Sequence, residues 1–180
     1  MLANKSMTAK IKTLIVDMLN YGAEAQLHFG YNAEDLANKL LSEEQKALAT
    51  ETVACTNKQV KGANFYGTNL SLEDRILLNL HFRNVKEGYS AKIIFTDFRG
   101  RTQTVEKELV PYSGSIYRIA VDEIVLADAF TTVTATVYDA NGNVHGTVTD
   151  SVESYVFRMG ESALNEAIMK FAFSAKEYLS

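Results

Sequence analysis

The chain reads as α+β: an antiparallel β-sandwich with a helical segment at each end. Two observations predict this. Apolar residues recur at helical spacing in Thr8–Phe29 and again in Leu164–Leu179. Between them, from Val53 to Thr149, the pattern changes to short alternating runs rich in Thr, Val, Ile and Tyr, divided by Gly and Asn.

The first helix is predicted from Ile11, Leu14, Ile15, Met18, Gly22, Ala25 and Phe29, which fall on one helical face. Thr8 can cap its start, and Gly30 suits the left-handed stop after Phe29. A glycine in mid-helix costs about 1 kcal/mol relative to alanine, so Gly22 predicts the close approach of another backbone, a neighbouring helix. Asn32 is expected to open a short helix through Leu36, Leu40 and Leu41. Ser42 and Gln45 form a capping box for a third helix, from Glu43 to about Thr50.

Strands are expected at Gln59–Phe65, Ile76–Asn84, Ala91–Phe98, Thr102–Val110, Ile116–Val121, Thr132–Tyr138 and Val144–Thr149. Seven strands in about 95 residues is the density of an Ig-like or fibronectin-like sandwich. Asp97–Arg101 and Asp139–Asn143 read as hairpin turns, the second holding an Asn-Gly pair. A short helix at Ser151–Arg158 and a break at Gly160 precede the last helix, on Leu164, Ala167, Ile168, Phe171, Ala175 and Tyr178. The expected organisation is therefore a helical segment at 1–51, a β-sandwich at 52–150 and a second helical segment at 151–180, with the two helical segments packed together.

Composition excludes several classes. Of 180 residues, 47% are hydrophobic, enough for a core, and the formal net charge of -4 offers no basic surface to nucleic acid or anionic lipid. No run approaches the roughly 18 apolar residues of a membrane span, so no membrane insertion is expected. The first ten residues lack a signal-peptide core. The single cysteine, Cys55, allows no internal disulfide and no multi-cysteine metal site.

Catalytic and metal motifs are weak. Asp139, Asn141, Asn143 and Asp150 match positions 1, 3, 5 and 12 of a calcium loop, but Val144 replaces the required glycine and strands flank the segment. His28, His81 and His145 have no ligand-pair spacing, and Cys55 has no base nearby in sequence. Phosphate loops and nucleophile elbows are lacking. The expectation is a non-enzyme with no cofactor and no metal. Of nine tyrosines, Tyr66, Tyr112 and Tyr117 lie in or beside segments rich in Gly, Ser or Asn, where a ring could stack on a sugar. These three are the candidate ligand-binding residues.

The segment Asp17–Gln26, continuing through Phe29-Gly30-Tyr31-Asn32 to Leu36-Ala37-Asn38, resembles a recurring helical segment of very large secreted surface proteins of gut Firmicutes. Ile116–Asn143 is similar to the β module of those proteins, and Ser151-Val152-Glu153-Ser154-Tyr155 to the segment that follows it. The resemblance implies an extracellular or cell-surface module, non-catalytic and acting in adhesion, with a polysaccharide or glycan as the partner. A structural spacer or a module docking onto neighbouring units is the alternative. The resemblance assigns no binding residue.

Overall fold

In the computed structural model, residues 8–72 and 75–180 are described. They form two compact units, one of residues 8–54 with 160–180 and one of residues 55–72 with 75–159. The class is α+β, with two antiparallel sheets in the second unit and the two long helices packed together in the first.

In the helical unit, α1 (Ala9–Phe29) starts where Thr8 accepts the Ile11 amide and stops at Gly30, whose φ is 63°. Both ends are as the caps predict. α1 packs antiparallel on α4 (Ala163–Leu179): the Lys10 ammonium meets the Glu177 carbonyl, and Tyr21 stacks on Phe171 at 5.8 Å between centroids. The buried face differs from the predicted one. Val16, Asp17 and Ala23 are the buried positions, whereas Met18 and Phe29 are exposed. The helix is contacted from several sides, so no single stripe defines its interior. Asp17, buried at 1% exposure, accepts both the Thr50 amide and hydroxyl, at 3.0 and 2.5 Å. The neighbour at Gly22 is not a helix but Ala37, whose methyl would lie 3.1 Å from an added Cβ.

Residues 32–41 form no helix either. They make three successive i→i+3 turns, closing at Asp35, Lys39 and Leu41. Gln26 explains this. Its side chain accepts the Ala37 amide at 2.7 Å and donates to the carbonyls of Asn32 and Asp35, groups that a helix would bond within itself. The Ser42–Gln45 capping box is present, but α2 spans only Glu43–Lys46.

The other unit holds nine strands among its described residues, two more than expected. One sheet runs in the order β1 (Val60–Lys61), β9 (Val144–Asp150), β8 (Val133–Tyr138), β4 (Ser90–Thr96), β5 (Thr102–Glu108). The other runs β2 (Phe65–Leu72), β3 (Ile76–Arg83), β7 (Ile116–Val121), β6 (Val110–Ser113). The expected single strand Gln59–Phe65 is in fact a crossing between sheets. Gly62 donates to the Thr147 carbonyl, and Asn64, with φ of 58°, turns the chain away into β2. The crossing is tight: a Cβ on Gly146 would lie 2.2 Å from the Ala63 carbonyl oxygen and 3.4 Å from the Phe82 ring. β6 includes Pro111, whose missing N–H is tolerated because β6 is an edge strand.

Alternation builds the core. Ala91, Ile93 and Phe95 of β4, Val133, Ala135 and Val137 of β8, Leu78, Leu80 and Phe82 of β3, and Ile119 and Val121 of β7 are all buried. Both predicted hairpin turns form, each around an aspartate. Asp97 accepts the amides of Arg99 and Arg101, and Asp139 those of Asn141 and Asn143. The Arg101 amide, with help from the side chains of Arg101 and Gln103 and the Arg99 amide, holds the Asp97 carboxyl down to about 2.

The short helix α3 (Val152–Met159) belongs to this unit and is fastened by Asp150. That carboxylate, fully buried, accepts two hydrogen bonds from the Arg158 guanidinium at 3.0 and 2.8 Å. It also accepts Gln59 at 2.7 Å, Thr68 at 2.5 Å and the Ser151 amide at 2.9 Å. Removing the carboxylate leaves a half-buried guanidinium and two side-chain donors without their acceptor. Asp150→Ala should therefore lose about 3 kcal/mol or more of stability. Urea unfolding measures this, and a loss under about 1 kcal/mol would show that the network contributes little.

Candidate functional site

The outward face of the four-stranded sheet carries the site. Residues directly opposed in an antiparallel sheet share a face. Leu78, Leu80 and Phe82 face the core, so Asn79, His81 and Arg83 of β3 face outward. The register adds Gly67, Asn69 and Ser71 of β2 and Ile116, Arg118 and Ala120 of β7 to the same face.

Two bulges place the tyrosines there. On β2, pairing passes from Phe65↔Phe82 to Gly67↔His81, leaving Tyr66 as the inserted residue. On β6, it passes from Pro111↔Tyr117 to Ser113↔Ile116, leaving Tyr112 inserted. A bulge re-aims the side chain of its extra residue and is common at sheet edges beside functional sites. Both rings turn outward. Arg83 stands over the Tyr66 ring at 4.7 Å, and Tyr112 lies against His81 at 4.4 Å between centroids, with Arg118 at 5.8 Å. Each tyrosine is 52% exposed. Their edge strands lie about 14 Å apart at ordinary strand spacing, and the Tyr112 ring reaches back over β7 to His81 of β3.

All three candidate tyrosines thus lie on strands rather than loops. The structure brings Tyr66 and Tyr112 to one face and sends Tyr117 to the other, opposite the core residue Phe82.

The floor beneath the rings is polar and buried, Asn79 at 0% and His81 at 5% exposure, with the Tyr112 ring lying on His81. His81 Nε2 lies 3.3 Å from Asn69 Oδ1, an oxygen that can only accept, so Nε2 carries the proton and Nδ1 is a bare acceptor. Asn79 donates to Ser71 at 2.9 Å. Asn79 Oδ1, His81 Nδ1 and Arg118 Nε are buried without a hydrogen-bond partner. Gly67, beside His81, leaves open space where a side chain would stand. The result is two half-exposed aromatic rings, each with a guanidinium beside it, over a buried polar floor.

The other sequence candidates lie elsewhere. Asp139, Asn141 and Asn143 share a hairpin turn, while Asp150, at the far end of β9, is bound to Arg158. The four residues therefore do not converge. Among the described residues no group of three or more His, Cys, Asp or Glu could hold a metal ion. Burial, then Glu153, raises the pKa of the Cys55 thiol, which disfavours the nucleophilic thiolate. His145 contacts the Arg83 carbonyl at 2.9 Å and the Tyr89 ring.

Comparison with protein-family models, with curated proteins and with solved structures found no match. Among the described residues no helix is long and apolar enough to cross a membrane.

Burial, and then the Arg118 charge, push the His81 pKa below the usual 6.5. Unfolded, the imidazole takes up its proton first as pH falls. Stability from His81 is therefore complete above pH 6.5 and declines as pH falls toward the lower folded-state value. In an NMR titration His81 should change charge below 6.5, and Arg118→Gln should bring it part of the way back, since burial persists. A midpoint at or above 6.5 in the native chain would contradict this account.

Proposed function

We propose that this chain is a non-catalytic carbohydrate-binding module, acting in adhesion on a bacterial surface, with its glycan site on the outward face of the four-stranded sheet. The observation that carries the reading is the pair of bulges that turn Tyr66 and Tyr112, half exposed, onto one face. Aromatic rings present flat apolar area at low conformational cost, and a pyranose offers a matching C–H face. Tyr117 then serves as support beneath the site rather than as a contact. An enzyme is disfavoured because, among the described residues, this face places no carboxylate or thiol near His81 to act with it.

We read the sandwich as Ig-like or fibronectin-like. The orders β2-β3-β7-β6 and β9-β8-β4-β5 follow the A-B-E-D and G-F-C-C′ arrangement of such domains. Extracellular placement rests on the resemblance to secreted surface proteins. A second reading, docking onto neighbouring modules, draws support from the helical unit, where Phe29, Tyr31 and Leu40 are 65%, 75% and 87% exposed.

Affinity electrophoresis against soluble plant and host polysaccharides tests the main reading. Retardation by at least one is expected. Tyr66→Ala and Tyr112→Ala should each weaken it by about tenfold, the loss of about 1.4 kcal/mol of contact. Full retention in both variants would remove this face as the site.

A further inference from the structure

We propose that the face takes an acidic glycan, an oligouronate whose rings stack on Tyr66 and Tyr112 while its carboxylates pair with Arg83 and Arg118; this rests on the glycan reading above and names its ligand class. Each tyrosine comes with its own cation. The Arg83 guanidinium lies 4.7 Å from the Tyr66 ring, and that of Arg118 lies 5.8 Å from Tyr112. Neither arginine has a carboxylate partner among the described residues, although the chain carries 22 acidic residues against 18 basic ones. The other arginines with ion pairs, Arg101 and Arg158, are matched to Asp97 and Asp150.

The surroundings keep the charge unmatched. The remaining outward positions in register on β2, β3 and β7 are glycine, asparagine, serine, leucine, histidine, isoleucine and alanine, with no aspartate or glutamate. A face with two guanidinium groups and, among its described residues, no anion is, on a chain of net charge -4, complementary to an anion. Arg118 is half-buried and its Nε fully so, which desolvates part of the charge before a ligand arrives. A guanidinium fork binds a planar carboxylate through two parallel hydrogen bonds. A neutral sugar could use the rings, but it would leave both cations unanswered. A uronic acid uses rings and cations together, because its carboxylate projects from the edge of the ring that stacks. Because the two tyrosines sit on opposite edge strands and their arginines on the two strands between, a chain that reaches both pairs runs across the strands.

Isothermal titration calorimetry of the full chain with a panel of oligouronates, their methyl esters and sulfated dextran tests the proposal. The ester keeps the backbone and removes the charge. At least one oligouronate should bind about tenfold or more tighter than its ester, with affinity falling as salt rises. Arg83→Gln and Arg118→Gln should each weaken the acid by about tenfold and the ester by clearly less. Arg83 is exposed, so its variant reports on binding without disturbing the fold, and circular dichroism checks the Arg118 variant. Equal binding of acid and ester, or native affinity in both variants, would overturn the charge assignment and leave the glycan reading standing. Tighter binding of sulfated dextran than of any uronate would overturn the carboxylate class. Binding of none of these, together with no retardation by the neutral polysaccharides, would overturn the glycan reading itself.

Discussion

The β unit depends on one buried carboxylate. A lone carboxylate in a protein interior is costly, and it becomes tolerable only when donors surround it. Asp150 collects its donors from four places in the chain: Gln59 in the entering segment, Thr68 on β2, Ser151 beside it, and Arg158 on α3. One charge therefore joins the end of one sheet, the first strand of the other and the helix that follows. Glu153, in the first turn of α3, repeats the device on the entering segment. It accepts the Thr56 amide and hydroxyl and pairs with Lys58 at 2.8 Å. Both acids are buried, and the hydrogen bonds they collect fix the direction of the chain beside them.

That fixed end determines what the first strand can do. The chain enters beside β9 as β1, held by Gln59, then crosses at Gly62–Asn64 and continues as β2 with Thr68 tied to Asp150. Between the crossing and Thr68 there is one residue more than a regular ladder accommodates. The surplus appears as the bulge at Tyr66. On the opposite edge, Pro111 cannot donate to a neighbour, and the next residue, Tyr112, is the second bulge. The two exposed rings thus follow from irregularities that the fold imposes at both edges, and the regular strands between them supply a rigid floor.

Much of the fold was legible in the sequence because its signals are local. The caps at Thr8, Gly30 and Ser42, the last helix, and the Asp-anchored turns at Asp97 and Asp139 depend on a few adjacent residues. What escaped depends on distant partners. Residues 32–41 have a helical apolar pattern, but Gln26 takes their backbone groups. Phe65–Leu72 looks like a loop because Gly, Thr, Asn and Ser dominate it, yet it is a strand because β3 pairs with it. Val110–Ser113 is hidden by its proline. The site was half visible. Tyr66 and Tyr112 were identified as candidates from composition, but Asn79, His81 and Arg83 were not. Their signal existed in the alternation Leu78-Asn79-Leu80-His81-Phe82-Arg83, which places three polar side chains on the face opposite three core residues.

The Tyr–Arg pairs also bear on how strongly such a face can bind. A flexible arginine loses side-chain freedom when it grips a ligand, a cost of about 0.5–1.5 kcal/mol for each side chain immobilised. Here each guanidinium already rests against an aromatic ring, and the attraction between cation and ring holds both in place before any ligand arrives. Tyr112 is held further by its contact with the His81 ring, and His81 by Asn69. Part of the ordering cost is thereby met in folding, on strands whose register is set by the core beneath. On the proposed reading, the same preorganisation favours ligands that present a flat face and a negative edge together. Selectivity at this face would come from the fixed distance between ring and cation, and only secondarily from the number of hydrogen bonds.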